Sequence, residues 1–204
     1  MTDTLDDLLG AVRSFLQERR VPPLQAFMAD IDWAMERRSL AARGLPCLAA
    51  LPAAERAAVP ATAPLVCRLA GLAADRLAWG QTYGAGDFGD RFLANYGWME
   101  LFGSRGHFVN DRVAAGFLLL GPQTHYPDHR HVAEEIYFPL TSGTEWRMGD
   151  APFASRAAGE AIHHASGVPH AMRTGRMPLL ALYLWRGGPL DQRSELGVAA
   201  GERG

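Results

Sequence analysis

The 204-residue chain contains no lysine; every basic side chain apart from histidine is an arginine. That absence excludes a Schiff-base lysine, a lysine general base and a phosphate loop ending in Gly-Lys-Ser/Thr. Cysteine is almost as scarce. Cys47 and Cys67 are too few for a disulfide framework and have no obvious partners for a structural zinc site. Both are expected to be small buried hydrophobes in a reduced, cytoplasmic protein. Neither sign of charge dominates, with 20 arginines against 22 carboxylates. A basic patch that could neutralise phosphates is missing, so nucleic acid is not an expected partner. No apolar run reaches the length of a membrane span. The acidic start MTDTLDDLL lacks the basic-then-apolar order of a secretory leader.

The length suits one domain with a helical extension, and the chain changes character near residue 100. Residues 1–100 read as a helical segment whose apolar stripes are expected to pack on the β half and help close its mouth. Leu5, Leu8, Leu9, Val12, Phe15 and Leu16 form an amphipathic stripe that Thr4 can cap, with Asp7 three residues on. A second helix follows VPP and turns Leu24, Phe27, Met28 and Ile31 to one side. A third is expected through PAAERAAV and a fourth from Ala63 to Trp79, before a loop at TYGAGDFGD. Residues 101–204 read as short strands divided by Gly, Pro and Asp: VAAGFLLL, HVAEEIYFPL, TEWRM, EAIHH, PHAMRT and PLLALYLW. That spacing implies an all-β sandwich or small barrel. The tail from Gly187 is expected to be loose or to lie across the surface.

All seven histidines fall between His107 and His170. The segment HYPDHRHVAEEIY, His125 to Tyr137, holds three of them with two tyrosines and three carboxylates. On a continuous strand His129, His131, Glu135 and Tyr137 would share a face, and Glu134 would face solvent or pair with an arginine. Even if a turn interrupts the strand, the two imidazoles and the later carboxylate can meet at one divalent transition metal: Fe, Zn, Mn, Ni or Co. A fourth ligand would come from elsewhere, with His170 as the candidate.

The pattern Gly121 … His129-x-His131-x3-Glu135 … Gly143, followed by Gly159 … Gly167-x2-His170, resembles the two cupin motifs. The resemblance implies a mainly β, double-sheet jelly-roll barrel with His129, His131, Glu135 and His170 around one metal ion. A narrower set, Tyr126-x4-His131-x3-Glu135-x-Tyr137 with Gly143-x2-Trp146, PHAMRT and LYLWRG, resembles the cupin-type lyases of dimethylsulfoniopropionate. It covers the β half well and the helical half in layout only. Five residues separate Tyr137 from Gly143, a longer turn than the family pattern suggests.

That resemblance implies a β-elimination giving dimethyl sulfide and acrylate. Tyr137 is then the expected base, with Tyr126 as second choice or as the group that orients the substrate. The sulfonium is a cation without hydrogen-bond donors, so aromatic faces suit it. Trp185 and Tyr183 are the main candidates, beside Trp98 and Trp146. His125 is a further candidate substrate contact and His163 a supporting group; His164 and His107 read as structural, and Arg173 as a surface arginine. The alternatives are a metallo-cupin isomerase or dioxygenase acting on another small carboxylate or a sugar, and a non-catalytic small-molecule-binding cupin. The partner in each case is a small molecule. Cupins often dimerise, so a homodimer is compatible with this reading.

Overall fold

Thr4 caps the first helix as its sequence suggests. In a computed structural model describing residues 4–197, its hydroxyl accepts from Asp7 N at 3.1 Å and its own N–H donates to the Asp7 carboxylate at 2.9 Å. Helix α1 (Leu5–Gln17) buries Leu5, Leu8, Val12, Phe15 and Leu16. Then come α2 (Pro22–Asp30), started by its two prolines, a 3-10 turn (Pro46–Ala50), α3 (Leu51–Ala57) and α4 (Ala63–Ala73). Helix α4 stops six residues short of the expected end at Trp79. The Trp79 indole turns back to donate to the Ala73 carbonyl at 3.1 Å, and Trp79 itself enters a strand. Cys47 is buried, but Cys67 is exposed because it lies off the Leu65–Val66–Leu69–Leu72 stripe of α4. The expected loop at TYGAGDFGD gives way to α5 (Ala85–Leu93), broken at Gly89, whose φ of 74° suits glycine.

Two sheets follow. The larger runs β1 (Trp79–Gly80), β2 (Tyr96–Gly103), β4 (Val113–Leu120), β11 (Leu179–Arg186), β6 (Glu134–Pro139) and β9 (Ile162–His164), with β3 (Phe108–Val109) beside β2. The smaller runs β12 (Glu195–Leu196), β5 (His125–Arg130), β10 (His170–Thr174), β7 (Thr144–Met148) and β8 (Ala154–Arg156). Strand β2 begins at Tyr96, so pairing starts before the change of character read at residue 100. Apart from β3, all pairings within the sheets are antiparallel.

The larger sheet is buried on both faces, which is why VAAGFLLL and LLALYLW are continuous apolar runs instead of alternating ones. On β11, Leu180, Leu182 and Leu184 join the helices in one core, where Phe15 meets Phe138 edge-on at 5.6 Å. Leu179, Ala181 and Tyr183 face the opposite way, toward the smaller sheet, in a second core. Helices α1 to α4 therefore pack on the back of the larger sheet, while Phe92 of α5 joins the second core. Arg186 of β11 holds both Asp30 at the end of α2 and Glu134 of β6, so Glu134 takes the arginine partner its parity suggested.

Gly116 sits where β2 and β4 come closest. A Cβ there would lie 1.9 Å from the Met99 carbonyl oxygen. Gly116→Ala must push the strands apart beside the irregularity between Glu100 and Phe102. Overpacking of this kind costs about 1–3 kcal/mol, so thermal unfolding should move down by roughly 2–12 °C. An unchanged midpoint in calorimetry would show that the strands yield there at no cost.

Candidate metal centre and active site

The residues of the crowded segment reach the barrel interior by an unexpected route. Strand β5 ends at Arg130 in the smaller sheet and β6 begins at Glu134 in the larger, so one strand's alternation cannot carry His129 to Tyr137. Two local devices replace it. Against β10, His170 pairs with His129 and Met172 with Tyr126: two steps on one strand match three on the other. This bulge, which spans Pro127, turns Tyr126 and His129 to the same side, and their rings stack at 3.9 Å and 3°. The connection 131–133 then folds the His131 ring back, and His131 Nδ1 bonds the Ala133 carbonyl at 2.7 Å.

His131, Glu135 and His170 converge. Their ligand atoms all lie within 4.8 Å of one another, and all three side chains are buried. His131 Nε2 is 2.9 Å and His170 Nε2 3.2 Å from the same oxygen, Glu135 Oε2. The other oxygen, Oε1, accepts the Trp185 indole N–H at 2.6 Å. The second ring nitrogen of each imidazole is held by a backbone carbonyl: Ala133 for His131, and Val168 at 3.0 Å for His170. Such outer bonds fix the tautomer and aim Nε2 inward, as metal-bound imidazoles require.

The donor set fits a divalent cation. Two imidazole nitrogens and one carboxylate oxygen face each other with no apolar filler, and His170 Nε2 has no properly oriented hydrogen-bond partner. Burial pushes the Glu135 carboxyl upward, but the His131 and His170 imidazoles outweigh it and hold the group well below the usual carboxylate range. Burial alone would lower the His131 imidazolium; the Glu135 charge reverses that and raises it. The buried carboxylate thus favours a cation beside it, a role that a metal ion would fill.

His129 stands beside this group, outside the three-atom cluster. Its ring lies 4.2 Å from that of His170, and its Nδ1 bonds the Pro127 carbonyl at 2.9 Å. Burial, then the neighbouring His170, pushes its imidazolium well below the usual range, so it is a neutral base. His164, across from Glu135 on β9, stacks on His170 at 4.1 Å.

A cavity of about 240 Å³ opens onto this centre. Tyr126, His129, Glu135, Tyr137, Tyr183 and Trp185 are among its lining residues, so Glu135 is the member of the three-residue group that faces it. Both expected catalytic phenols are buried. Burial, then the Glu135 charge, pushes Tyr137 well above its ordinary value. Burial also raises Tyr126, whose hydroxyl lies 2.8 Å from that of Tyr83.

Trp98, Tyr183 and Trp185 line the cavity, whereas Trp146 packs against Tyr137 at 5.0 Å. His125 does not. Alternation places it opposite Tyr126, on the outer face across from Arg173, where it lies exposed against Phe153. His163 bonds Glu134 at 3.1 Å instead of entering the site. His107 is structural, accepting from Ala78 N at 3.1 Å, and Arg173 pairs with Glu145 at the surface. The outer cavity wall was not anticipated: Thr82, Glu100, Arg105 and the stretch Leu190–Ser194 form it. Residues of the tail therefore line the cavity and no residue of α1 to α4 does, so the helices do not take the expected part in closing it. Tyr96, Trp98 and Glu100 alternate in YGWME, a signal hidden by placing the first strand after residue 100.

A double-sheet barrel with a buried His–Glu–His group at the base of its cavity is a cupin with a candidate metal centre. The family is more specific: residues 19–181 match the dimethylsulfoniopropionate lyase family, and the chain belongs to it. It is 39% identical over 127 residues to dimethylsulfoniopropionate lyase DddQ of Ruegeria pomeroyi, covering 62% of this chain and 63% of the relative. It is 34% identical over 140 residues to the putative dimethylsulfoniopropionate lyase DddL of Cereibacter sphaeroides, covering 68% of this chain and 56% of the relative. The matches thus span less than two thirds of either curated relative. The crystal structure of dimethylsulfoniopropionate lyase DddQ from Ruegeria pomeroyi superposes with a TM-score of 0.87 at 29% identity, over 97% of this chain and 98% of that one. Among the described residues no helix is long and apolar enough to cross a membrane.

Proposed function

We propose that the protein cleaves dimethylsulfoniopropionate to dimethyl sulfide and acrylate, using one divalent transition metal held by His131, Glu135 and His170. The observation that carries this reading is the convergence of those three buried ligands at a cavity lined by two buried tyrosines. When bound, the ion would supply Lewis acidity toward the substrate carboxylate and favour the phenolate of Tyr137.

The chain's own groups account for the rest. Tyr137, two residues beyond Glu135 on β6, takes the proton from the carbon next to the carboxylate. The electron pair of that C–H bond becomes the new double bond, and the C–S pair leaves with dimethyl sulfide. Tyr126, held by Tyr83 and stacked on His129, orients the substrate. The faces of Trp185 and Tyr183 receive the sulfonium, a contact worth about 0.5–2 kcal/mol, while Trp98 carries the Arg105 guanidinium at 5.0 Å. A plain oxygenase would need open metal positions but no phenol base, so the tyrosines favour elimination. Free cysteines suit a reducing compartment, and a cytoplasmic location belongs to this reading.

The test is direct. Metal-loaded protein given dimethylsulfoniopropionate should release dimethyl sulfide into the headspace with equimolar acrylate in solution. Release no faster than from buffer plus free metal would overturn the proposal.

A further inference from the structure

Glu100 is a carboxylate only 4% exposed in the cavity wall, and the elimination above gives it no task. It lies on β2, where alternation sends Tyr96, Trp98 and Glu100 into the cavity, while Met99 and Leu101 join the core under the helices. The strand register breaks just after it, between Glu100 and Phe102, so the inward row ends on this charge.

A buried carboxylate needs compensation. Glu100 accepts Arg105 N–H at 2.6 Å and is also approached by Gly106 N–H, but burial outweighs its partners and pushes the carboxyl up, and the Arg105 guanidinium compensates it only loosely. Its Nε stands 3.6 Å away, beyond hydrogen-bond length, and its side chain is 44% exposed. The guanidinium reaches toward the carbonyls of Leu190 and Asp191 and lies 5.0 Å over the Trp98 ring. Arg193, the other cation at the mouth, is bound to Asp87. Across from Glu100 on β4 is Gly116, and across from Gly116 on β11 is Tyr183. The Tyr183 hydroxyl donates to the carbonyl of Met99, the residue before Glu100, at 3.5 Å, so its ring stands beside the carboxylate.

We infer that Glu100 is the counter-charge for the onium end of the ligand, selecting a cationic head group over a neutral one of the same shape. This rests on the reading that the site takes an onium carboxylate. Glu135 and Glu100 stand on β6 and β2, separated by β11 and β4. Three steps of about 4.8 Å put them roughly 14 Å apart along the curved sheet. A substrate whose carboxylate lies at the His–Glu–His group spans part of that distance. Its sulfonium, two carbons on, falls over the aromatic middle with its open side toward Glu100. Tyr183 sits between the two carboxylates; burial first, then Glu100, raises its phenol, so it meets the cation as a neutral ring.

Glu100 also shapes its own loop. Gly103, at φ 146°, folds so close that a Cβ there would lie 2.5 Å from Glu100 Oε1. Glu100→Gln keeps an oxygen for the Arg105 N–H and removes only the charge.

The experiment compares two non-reacting ligands by calorimetry on the metal-loaded protein: β-alanine betaine, and its isostere with the quaternary nitrogen replaced by carbon. The native protein should prefer the betaine by about tenfold, the scale expected of opposite charges several ångströms apart in a partly desolvated cavity. Glu100→Gln should cut that preference to the remainder the aromatic faces supply while leaving affinity for the carbon isostere unchanged, and Glu100→Asp should retain more of it. Equal loss of both ligands in Glu100→Gln would make the residue merely structural and overturn the inference. So would a native protein that binds the two alike, or binds neither; that comparison needs no variant. Failure to release dimethyl sulfide overturns the elimination alone, because these ligands read charge selection without turnover.

Discussion

Tyr137→Phe is expected to keep fold and metal content and to lower turnover of dimethylsulfoniopropionate by about 10² to 10⁴, the usual worth of a general base. The substitution removes one hydroxyl, and the ring keeps its contacts with Trp146 at 5.0 Å and Tyr183 at 6.5 Å. The expected effect lies near the upper end of that range because burial and Glu135 both push this phenol up. Without a nearby cation it would stay protonated at neutral pH, so nothing else in the cavity duplicates a metal-assisted phenolate. The active form is the deprotonated one, so native turnover should rise with pH through the base's ionisation, and the variant should lose that limb. Tyr126→Phe should cost less. It removes the partner of the Tyr83 hydroxyl but not the ring stack on His129, so it should raise KM together with a smaller fall in kcat. A dead Tyr126→Phe beside a near-normal Tyr137→Phe would reverse the roles. Two active variants would leave neutral His129, at the cavity wall, as the next base to test.

How much of this was legible depended on whether the local signal survived tertiary context. The cap at Thr4 and the α1 stripe were readable because both lie within a few residues of each other in sequence. TEWRM matched β7 residue for residue, since turn signals bound it on either side. The candidate group of His131, Glu135 and His170 was readable because the cupin spacing is itself a signature. The way those ligands meet was not: alternation suggested one strand, but the chain changes sheets between Arg130 and Glu134. The bulge spanning Pro127 puts Tyr126 beside His129 despite opposite parity, and only its partner strand reveals it. His125 was misread for the same reason, as one residue decides which face of a strand a side chain takes. The outer cavity wall was hidden because the tail lining it carries no periodicity.

Glu135→Gln should remove the metal. The side chain is fully buried, and its Oε2 is the one atom that both His131 Nε2 and His170 Nε2 approach within 3.2 Å. An amide oxygen can still accept the Trp185 indole, so the local packing has a replacement bond and the fold should hold. The charge has none. Two neutral imidazoles then face a neutral amide, and the attraction for a divalent ion falls sharply. Losing a mere supporting partner of a metal ligand typically costs 10–100-fold in affinity, so losing the charged ligand itself should cost at least about 100-fold. Metal analysis after dialysis should find sub-stoichiometric ion in Glu135→Gln and near-full occupancy in the native protein, with dimethyl sulfide release falling in proportion. Chelation of the native protein should give the same loss, reversed when metal is restored. His129→Ala provides the contrast. Its ring stands outside the three-atom group, so metal should be retained, though more weakly if His129 joins as a fourth ligand. If Glu135→Gln kept full metal while His129→Ala lost it, the ion would be held by the imidazoles alone. The role of Glu135 would then be to anchor Trp185 at the cavity wall, through the 2.6 Å bond to Oε1.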